Sequence, residues 1–532
     1  MSVFERTGMY WRFAWGLREF LRTPITLEQS RQIIRKRLEE REENLLTVVK
    51  KAIYENQKSP YLKLLRIAGC EYGDFERLVR REGIEPALGT LRREGVYLST
   101  EEFKGKKDVV RGNKSLRFRE SDFDNPLIIP HLALSTGGSR SVATRTIYDF
   151  DHMTYGRAVY VITLLDAYGA LDVPIAMWCP IMPGSGPRRL LEHAKVGKLI
   201  SRWFSPVSEK SFNHSVKNRL GTNYIVYMGR LWGGKFPAPE YVSINDAGKI
   251  AQWLAQTVGS RGGCLLNTTP SNAVRICQAA QCDSLNITGV KFITTAEPLT
   301  KVKREAIESA GASVNSRYIL TETGYIGIGC FHPTTPDDTH LLKDSFALIQ
   351  HQRQVAHTGV SVDASLFTSL LLSAPKVLLN VESGDYGMLE RKNCGCYYDK
   401  LGLSDHLHYI RGFDKLTSAG ASFLGTDLIR IIEEVLPSKF GGTSIDYQMI
   451  EEEDRTGATR LSVIVSPEVG IVNEDELIRT VISELSKGDD GPRLMAKIWS
   501  DSGTLRVKRV FPKLTGSSKL LPLHIQKIGV RA

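Results

Sequence analysis

Seven consecutive residues, Ser135-Thr136-Gly137-Gly138-Ser139-Arg140-Ser141, follow the apolar run Leu132-Ala133-Leu134 and precede Val142-Ala143-Thr144-Arg145. A strand that runs into hydroxyls and glycines suits the capture of an anion. Glycine lets the backbone approach closely, successive N–H groups form a concave nest, and hydroxyls add donors. The anion that fits best is a polyphosphate, although a solvated turn has the same ingredients.

Five further segments carry side chains suited to the same chemistry. Thr294-Thr295-Ala296-Glu297-Pro298-Leu299 follows the apolar run 290–293 and precedes a helical pattern over 301–310. Tyr318-Ile319-Leu320-Thr321-Glu322-Thr323-Gly324 holds an aromatic ring, two threonine hydroxyls and a carboxylate, the natural ligand for a hard cation such as Mg2+. Ser383-Gly384-Asp385 is read as following a strand at 377–381, and an ionised Asp offers hydroxyl groups acceptors only. Arg411-Gly412-Phe413-Asp414-Lys415 reads as a hinge, and Thr515-Gly516-Ser517-Ser518-Lys519 ends on an ammonium. Singly, each has a plainer reading: Tyr318 as a core aromatic, Glu322 as a helix N-terminal charge, Asp385 as a turn residue, Lys519 as a tail lysine.

The elements that must position these residues follow from periodicity. Over 27–55, Ile34, Leu38, Leu45, Val49 and Ile53 recur at near-helical spacing. From about 125 to 330, short apolar runs at 159–162, 264–267 and 290–293, read as strands, alternate with helical patterns, the signature of an α/β domain with a largely parallel sheet. Beyond about 411 the texture changes to helix 427–435, strand 461–465, helix 474–486 and strands 494–499 and 505–510, a small α+β domain. The expected division is a helical extension, 1–125, packed on a main domain, 126–411, followed by a mobile C-terminal domain, 412–532.

The 532 residues are enough for several domains, and the formal charge of +11 permits an anionic partner such as ATP, coenzyme A, nucleic acid or an acidic membrane. Basic residues alternate with acids instead of forming blocks, which argues against nucleic acid. The eight cysteines are scattered apart from Cys394-Gly395-Cys396, which points to a reducing cytoplasm and not to a secreted disulfide framework. No apolar run reaches the roughly 18–20 residues of a membrane span. Residues 1–22 are aromatic and basic and lack a signal peptide's apolar core, so they read as a helix docked on its own protein, with a membrane-surface helix as the alternative.

In order and spacing, these six motifs resemble the acyl-adenylate-forming enzymes and, within them, the phenylacetate–coenzyme A ligase family, over residues 45–532. Ala52-Ile53-Tyr54-Glu55-Asn56 and Ser59-Pro60-Tyr61 are similar to that family's N-terminal helical region, and Asn267-Thr268-Thr269-Pro270-Ser271-Asn272-Ala273 to its strand-to-helix turn. The resemblance implies a large adenylate-forming (AMP-binding) domain with mixed and parallel sheets, joined by a hinge to the small domain. It assigns Ser135, Thr136, Gly137, Gly138, Ser139 and Arg140 to the β- and γ-phosphates of ATP. Ala296, Glu297 and Pro298 fall to the adenine pocket, Tyr318 to adenine stacking, Thr321 to the α-phosphate and Glu322 to Mg2+. Asp385 falls to the ribose hydroxyls, Arg411 to the hinge and ribose, and Lys519, with Lys513 as the alternate, to the reacting phosphate and acyl oxygens. The chain departs from the family pattern at Thr144-Arg145, where the loop usually ends in lysine. It also departs at Phe413, where an acidic residue is usual, and at Ser383, which replaces threonine.

Cys330, His340, Cys394 and Cys396 are similar to a structural zinc set found in some members of that family. Three thiolates and an imidazole would close a tetrahedral site with no open position. His332 is a poorer match than His340, and free buried thiols are the alternative.

The expected function is therefore ATP-dependent activation of a carboxylic acid, aromatic or otherwise apolar, to an acyl-adenylate, followed by transfer to coenzyme A. Transfer to an amine or a carrier-protein thiol is the alternative, and a non-catalytic nucleotide- or acyl-binding descendant is the second. The acid's pocket is expected between the sheet and the loops around 232–241 and Thr294-Thr295. No nucleic acid partner is expected, and a homodimer is allowed.

Overall fold

A computed structural model describes residues 3–135, 138–139, 145–207, 216–296, 299–320, 322–354, 361–412, 415–418, 421–424, 431–443, 446–453, 459–487, 496, 499–500, 503, 505–513 and 523–525. Twelve strands form its principal sheet: β1 (Ile175–Trp178), β2 (Ile200–Ser205), β3 (Pro239–Tyr241), β4 (Cys264–Thr268), β5 (Val290–Thr294), β6 (Ser313–Leu320), β7 (Gly324–Gly329), β8 (Thr339–Leu341), β9 (Phe346–Gln354), β10 (Ser361–Ser369), β11 (Val381–Arg391) and β12 (Asp405–Gly412). Their spatial order is β9-β10-β11-β12-β8-β7-β6-β5-β4-β1-β2-β3.

The sheet has two halves. From β3 to β6 every pairing is parallel, and helices such as Gly186–Lys195, Ala247–Arg261 and Pro270–Cys282 link consecutive strands. The strand order reverses between β1 and β4, the place where open α/β sheets leave a crevice beyond their carboxyl ends. From β6 to β9 every pairing is antiparallel. The parallel strands β1, β4 and most of β5 are buried on both faces, as helical cover on each side requires.

The N-terminal helices, including Pro60–Ile67, Tyr72–Glu82 and Ile84–Arg93, close over the antiparallel half. Leu64, Leu65, Phe75, Leu88 and Phe123 share one core with Ile326, Leu348, Phe367, Leu379 and Val381. Residues 60–125 thus pack on the sheet. The helical stretch read over 27–55 divides into Leu27–Glu39, Arg41–Val48 and a wider helical turn, Val49–Tyr54. Thr26 and Gln29 close a capping box at its start. The helix Val3–Arg22 docks through Phe13, Leu17 and Phe20, whose rings lie 5.6 Å (Phe13) and 4.7 Å (Phe20) from that of Phe150, while Trp11 and Trp15 each remain 62% exposed. No described helix is long and apolar enough to cross a membrane.

Toward the C-terminus, a four-stranded sheet runs Leu505–Arg509, Thr459–Val465, Tyr447–Glu453, Leu523–Ile525, with helix Glu474–Ser486 beside it. The hairpin Lys415–Ser418 and Ala421–Leu424 follows β12 directly, and Gly138–Ser139 pairs with it in parallel at Ser422 and Phe423.

Three expected strands differ. Residues 159–162 belong to the helix Val159–Ala167, whose first seven residues are all buried, so the polar face that would reveal a helix is missing. Of 494–499, the described residues Ala496 and Trp499 are helical, and both are buried at a three-residue spacing that faces one core. Residues 377–381 form no ladder before Val381. Leu378 N–H donates to Ser369 Oγ at 3.1 Å and Asn380 N–H to Thr368 Oγ1 at 3.0 Å, side-chain substitutes for strand pairing. Ser383 and Asp385 consequently sit inside β11, not after a strand. Of 427–435, only Ile431–Val435 lies among the described residues, and it is helical.

The docking of the first helix predicts a sharp contrast. Leu17→Ala is expected to lower unfolding free energy by about 2–5 kcal/mol, and Trp15→Ala by no more than about 0.5 kcal/mol. Denaturant melts of the full chain check both, and equal effects would contradict the docking.

Candidate functional site

The hairpin of β6 and β7 organises the site. Tyr318 faces Gly327, Leu320 faces Gly324, and a register shift at Tyr318/Ile319 bends the pair. Gly324 has φ +113°, and a Cβ there would stand 3.0 Å from an Arg157 nitrogen, so the tip requires glycine twice over. Successive strand residues point to opposite faces. Tyr318 therefore goes one way and Arg317 the other.

On the Tyr318 face, its hydroxyl donates to Asp385 Oδ2 at 2.8 Å, and burial with the adjacent carboxylate pushes the phenol far above its ordinary range. Ser383 Oγ accepts from the Asp385 N–H at 3.2 Å. Asp385 pairs across the ladder with Gly412, and Tyr386 with Arg411. Tyr318, Asp385 and the Arg411 backbone, distant in sequence, are thus neighbours. At the tip, Glu322 ion-pairs with Lys104, whose ammonium also lies 3.2 Å from Glu120 Oε1. The N-terminal helical region therefore already places a cation on this carboxylate. Ala296, just beyond β5, has a positive φ of 76° and is exposed. Thr269 Oγ1 caps the helix Pro270–Cys282 by accepting from Asn272 N–H at 3.3 Å. Ser135, Gly138 and Ser139 are placed by their backbones only. Thr136, Gly137, Arg140, Glu297, Pro298, Thr321 and Lys519 lie outside the described residues, as do the side chain of Arg411 and residues Phe413 and Asp414.

On the Arg317 face is a buried polar cluster that motif reading did not find. Glu192, in helix Gly186–Lys195, accepts from Arg157 Nε and from the Tyr325 hydroxyl at 2.7 Å, and Arg188 Nε stands 3.2 Å away. Asn267 Oδ1 accepts from Arg189 at 3.1 Å and from Arg317 at 2.9 Å, and Arg317 also donates to the Tyr325 hydroxyl at 3.0 Å. The guanidinium carbon of Arg157 lies 4.5 Å from the Tyr325 ring centroid, a cation–π contact. In sequence, Arg188-Arg189-x-x-Glu192-His193 reads as an ordinary charged helix face, and only the structure shows Arg189, Glu192 and His193 buried. Despite burial, the surrounding arginines hold Glu192 well below the usual carboxylate range. Burial, followed by Arg317 and Arg189, drives His193 down to about 3.

Cys330, His340, Cys394 and Cys396 also converge, with their donor atoms all within 4.8 Å of one another. Cys330 follows β7, His340 lies in β8, and the paired cysteines follow β11. His340 Nδ1 bonds the Leu403 carbonyl at 2.6 Å, which leaves Nε2 facing Cys396 Sγ at 3.0 Å and Cys394 Sγ at 3.7 Å. This is how a histidine is oriented as a ligand. Hydrogen bonding from Cys330 and then His340 pulls the Cys396 thiol far below its usual range. His332 stays outside, its Nδ1 2.9 Å from the Cys394 carbonyl. Asp338 and His406, joined at 2.7 Å, adjoin the same Cys330.

No protein-family model matches the chain, and no curated protein does. Among solved structures it is similar to a 2-hydroxyisobutyryl-CoA ligase bound to its acyl-AMP and coenzyme A in the thioesterification state, at 12% identity and a TM-score of 0.51 over 92% of this chain and 89% of that one. The same ligase in a postadenylation state aligns at 13% identity and 0.47 over 94% and 90%. An amide bond synthetase from Marinactinospora thermotolerans aligns at 10% and 0.40 over 78% and 71%. The first alignment fixes the architecture: the chain has the adenylate-forming ligase fold, with its large mixed sheet and smaller C-terminal domain.

The cluster carries a pH signature. An unfolded histidine takes up a proton near 6.5, whereas His193 does so only near 3, so between these values the unfolded chain binds more protons. Stability should therefore fall as pH drops through this window, by about 2 kcal/mol at pH 5 from His193 alone. His193→Gln should flatten the slope between pH 7.5 and 5 in denaturant titrations, and an unchanged slope would contradict its buried neutral state.

Proposed function

We propose that this chain activates a carboxylic acid with ATP to an acyl-adenylate and passes the acyl group to the thiol of coenzyme A. The observation that carries this reading is the juxtaposition of Tyr318, Asp385 and the Arg411 backbone beside a hairpin tip bearing Glu322, within the adenylate-forming ligase fold. In the first step a carboxylate oxygen bonds to the α-phosphorus, the bond to the bridging oxygen breaks, and pyrophosphate leaves. In the second, the thiol attacks the acyl carbon, loses its proton, and AMP leaves. Transfer to an amine or a carrier-protein thiol shares the first step.

In this reading Tyr318 stacks on adenine while its hydroxyl holds Asp385, whose carboxylate accepts from the ribose hydroxyls. Segment 135–140 takes the outer phosphates, Ala296, Glu297 and Pro298 edge the adenine pocket, and Thr321 donates to the α-phosphate. Glu322 is the residue that would hold Mg2+, which screens phosphate charge when bound. Lys104 on that carboxylate in the free protein is consistent with a site built for a cation. The small domain, residues 412–532 in this reading, turns about Arg411 between steps and brings Lys519, or Lys513, to the reacting oxygens and away again. The Cys330, His340, Cys394 and Cys396 set fits structural zinc, because a tetrahedral ion with Zn–S near 2.3 Å needs ligand atoms about 3.8 Å apart. Bound there, it would join the segment after the hairpin to the segment after Asp385 and stiffen both.

Three measurements check this reading. Carboxylate-dependent ATP–pyrophosphate exchange is expected, reduced at least a hundredfold in Glu322→Ala and Lys519→Ala, while ATP binding without exchange for any acid would overturn it. Lys104→Met should lower the Mg2+ concentration for half-maximal exchange several-fold, because the competing ammonium is gone; an unchanged value would remove Glu322 from the Mg2+ site. Metal analysis should find about one zinc per chain, lost together with thermal stability in Cys396→Ser. A metal-free protein of full stability would leave the four as free thiols.

A further inference from the structure

Among the described residues, the cluster below the hairpin holds four guanidinium groups, those of Arg157, Arg188, Arg189 and Arg317, against the carboxylate of Glu192, a formal excess of three positive charges. All four are at most 11% exposed. Burying a charge is costly unless it is paired. Arg157 is the extreme case: it is fully buried, and both its terminal nitrogens lack a hydrogen-bond partner among the described residues. Neutral partners, Asn267 and Tyr325, satisfy part of the set but cancel no charge.

The position of this excess matters as much as its sign. Asn267 is the penultimate residue of β4, and Arg189 and Glu192 lie on the helix after β1, so the cluster sits where the strand order reverses. Arg317 adjoins Tyr318, and Gly324 at the hairpin tip has Arg157 against its backbone. The tip is thus shared by the cluster and by the face carrying Tyr318 and Asp385.

Resting on the adenylation reading, we propose that the cluster is the far end of the acid-binding site and that the acid carries a second anionic group, such as another carboxylate, which pairs with Arg157 and its neighbours. One carboxylate is held by guanidinium groups at the switch point, and the other reaches past Gly324 to the α-phosphate. The second group takes no part in bond making. Planar, forked donors suit carboxylate geometry and reject an apolar terminus, which would leave the guanidinium nitrogens unpaired. Such an acid would differ from the aromatic or otherwise apolar acid expected from sequence.

The test compares acids matched in skeleton: benzoate with phthalate, butyrate with succinate, hexanoate with adipate. In ATP–pyrophosphate exchange, at least one dianionic acid should exceed its partner tenfold or more in kcat/KM. Arg157→Met should erase that preference without changing the KM for ATP. Arg317→Met serves the same purpose if the first variant does not fold, and Arg157→Lys should restore part of the preference. Equal or better exchange with the monoanionic partners overturns the inference and leaves adenylation standing. If no acid supports exchange, the adenylation reading fails and calorimetry decides the cluster. Saturable dicarboxylate binding lost in Arg157→Met keeps it as an anion site, and no binding overturns it.

Discussion

Glu192 is the constraint on which much of the molecule depends. It is the carboxylate through which Arg157, Arg188 and Tyr325 meet, so it ties the helical turn His152–Ala158, the helix after β1 and the start of β7 to one point. Removing it would leave buried guanidinium groups facing each other, a loss of about 3–5 kcal/mol. Core packing alone would hold those elements together but would not fix their angle at the crevice. A buried ion pair adds little net stability compared with apolar packing, and its presence here is explained better by specificity.

The β6–β7 hairpin turns one strand into a partition. Alternation sends Arg317 into the parallel, helix-covered half and Tyr318 toward the half roofed by the N-terminal helices. Two chemically different environments, one rich in guanidinium and one carrying Asp385, are separated by a single backbone and meet at residues 322–324. The Arg411–Gly412 segment lies on the second side, because Asp385 and Gly412 are ladder partners. Beyond it, the parallel pairing of Gly138–Ser139 with Ser422–Phe423 couples the glycine-rich loop to the start of the C-terminal region. The domain rotation proposed at Arg411 would have to carry or break that pairing.

Much of the framework was legible in the sequence because it depends on local signals. The alternation of strands and helices, the strand before Thr294 and the helix 474–486 all follow from periodicity and turn chemistry. Two of the misread segments, 159–162 and 377–381, are buried at every residue, so no polar face remains to show the period. Motif order brought Tyr318, Asp385 and Arg411 together on paper, and the sheet places them side by side. The convergence of Cys330, His340, Cys394 and Cys396 was likewise expected, from their similarity to a structural zinc set in some members of the phenylacetate–coenzyme A ligase family. The arginine cluster was not legible, because its charged members come from three separated segments and each alone resembles a solvated surface charge. Only the tertiary arrangement shows that Arg157 and Arg317 point inward.

The central claim is that this chain makes a bond between a carboxylate oxygen and the α-phosphorus of ATP. The most direct measurement uses an acid labelled with 18O in both carboxylate oxygens, incubated with ATP, Mg2+ and coenzyme A, followed by mass spectrometry of the nucleotide product. The account predicts AMP carrying one 18O atom, left behind when the acyl group departs. Unlabelled AMP, or ADP with the label in inorganic phosphate, would contradict it.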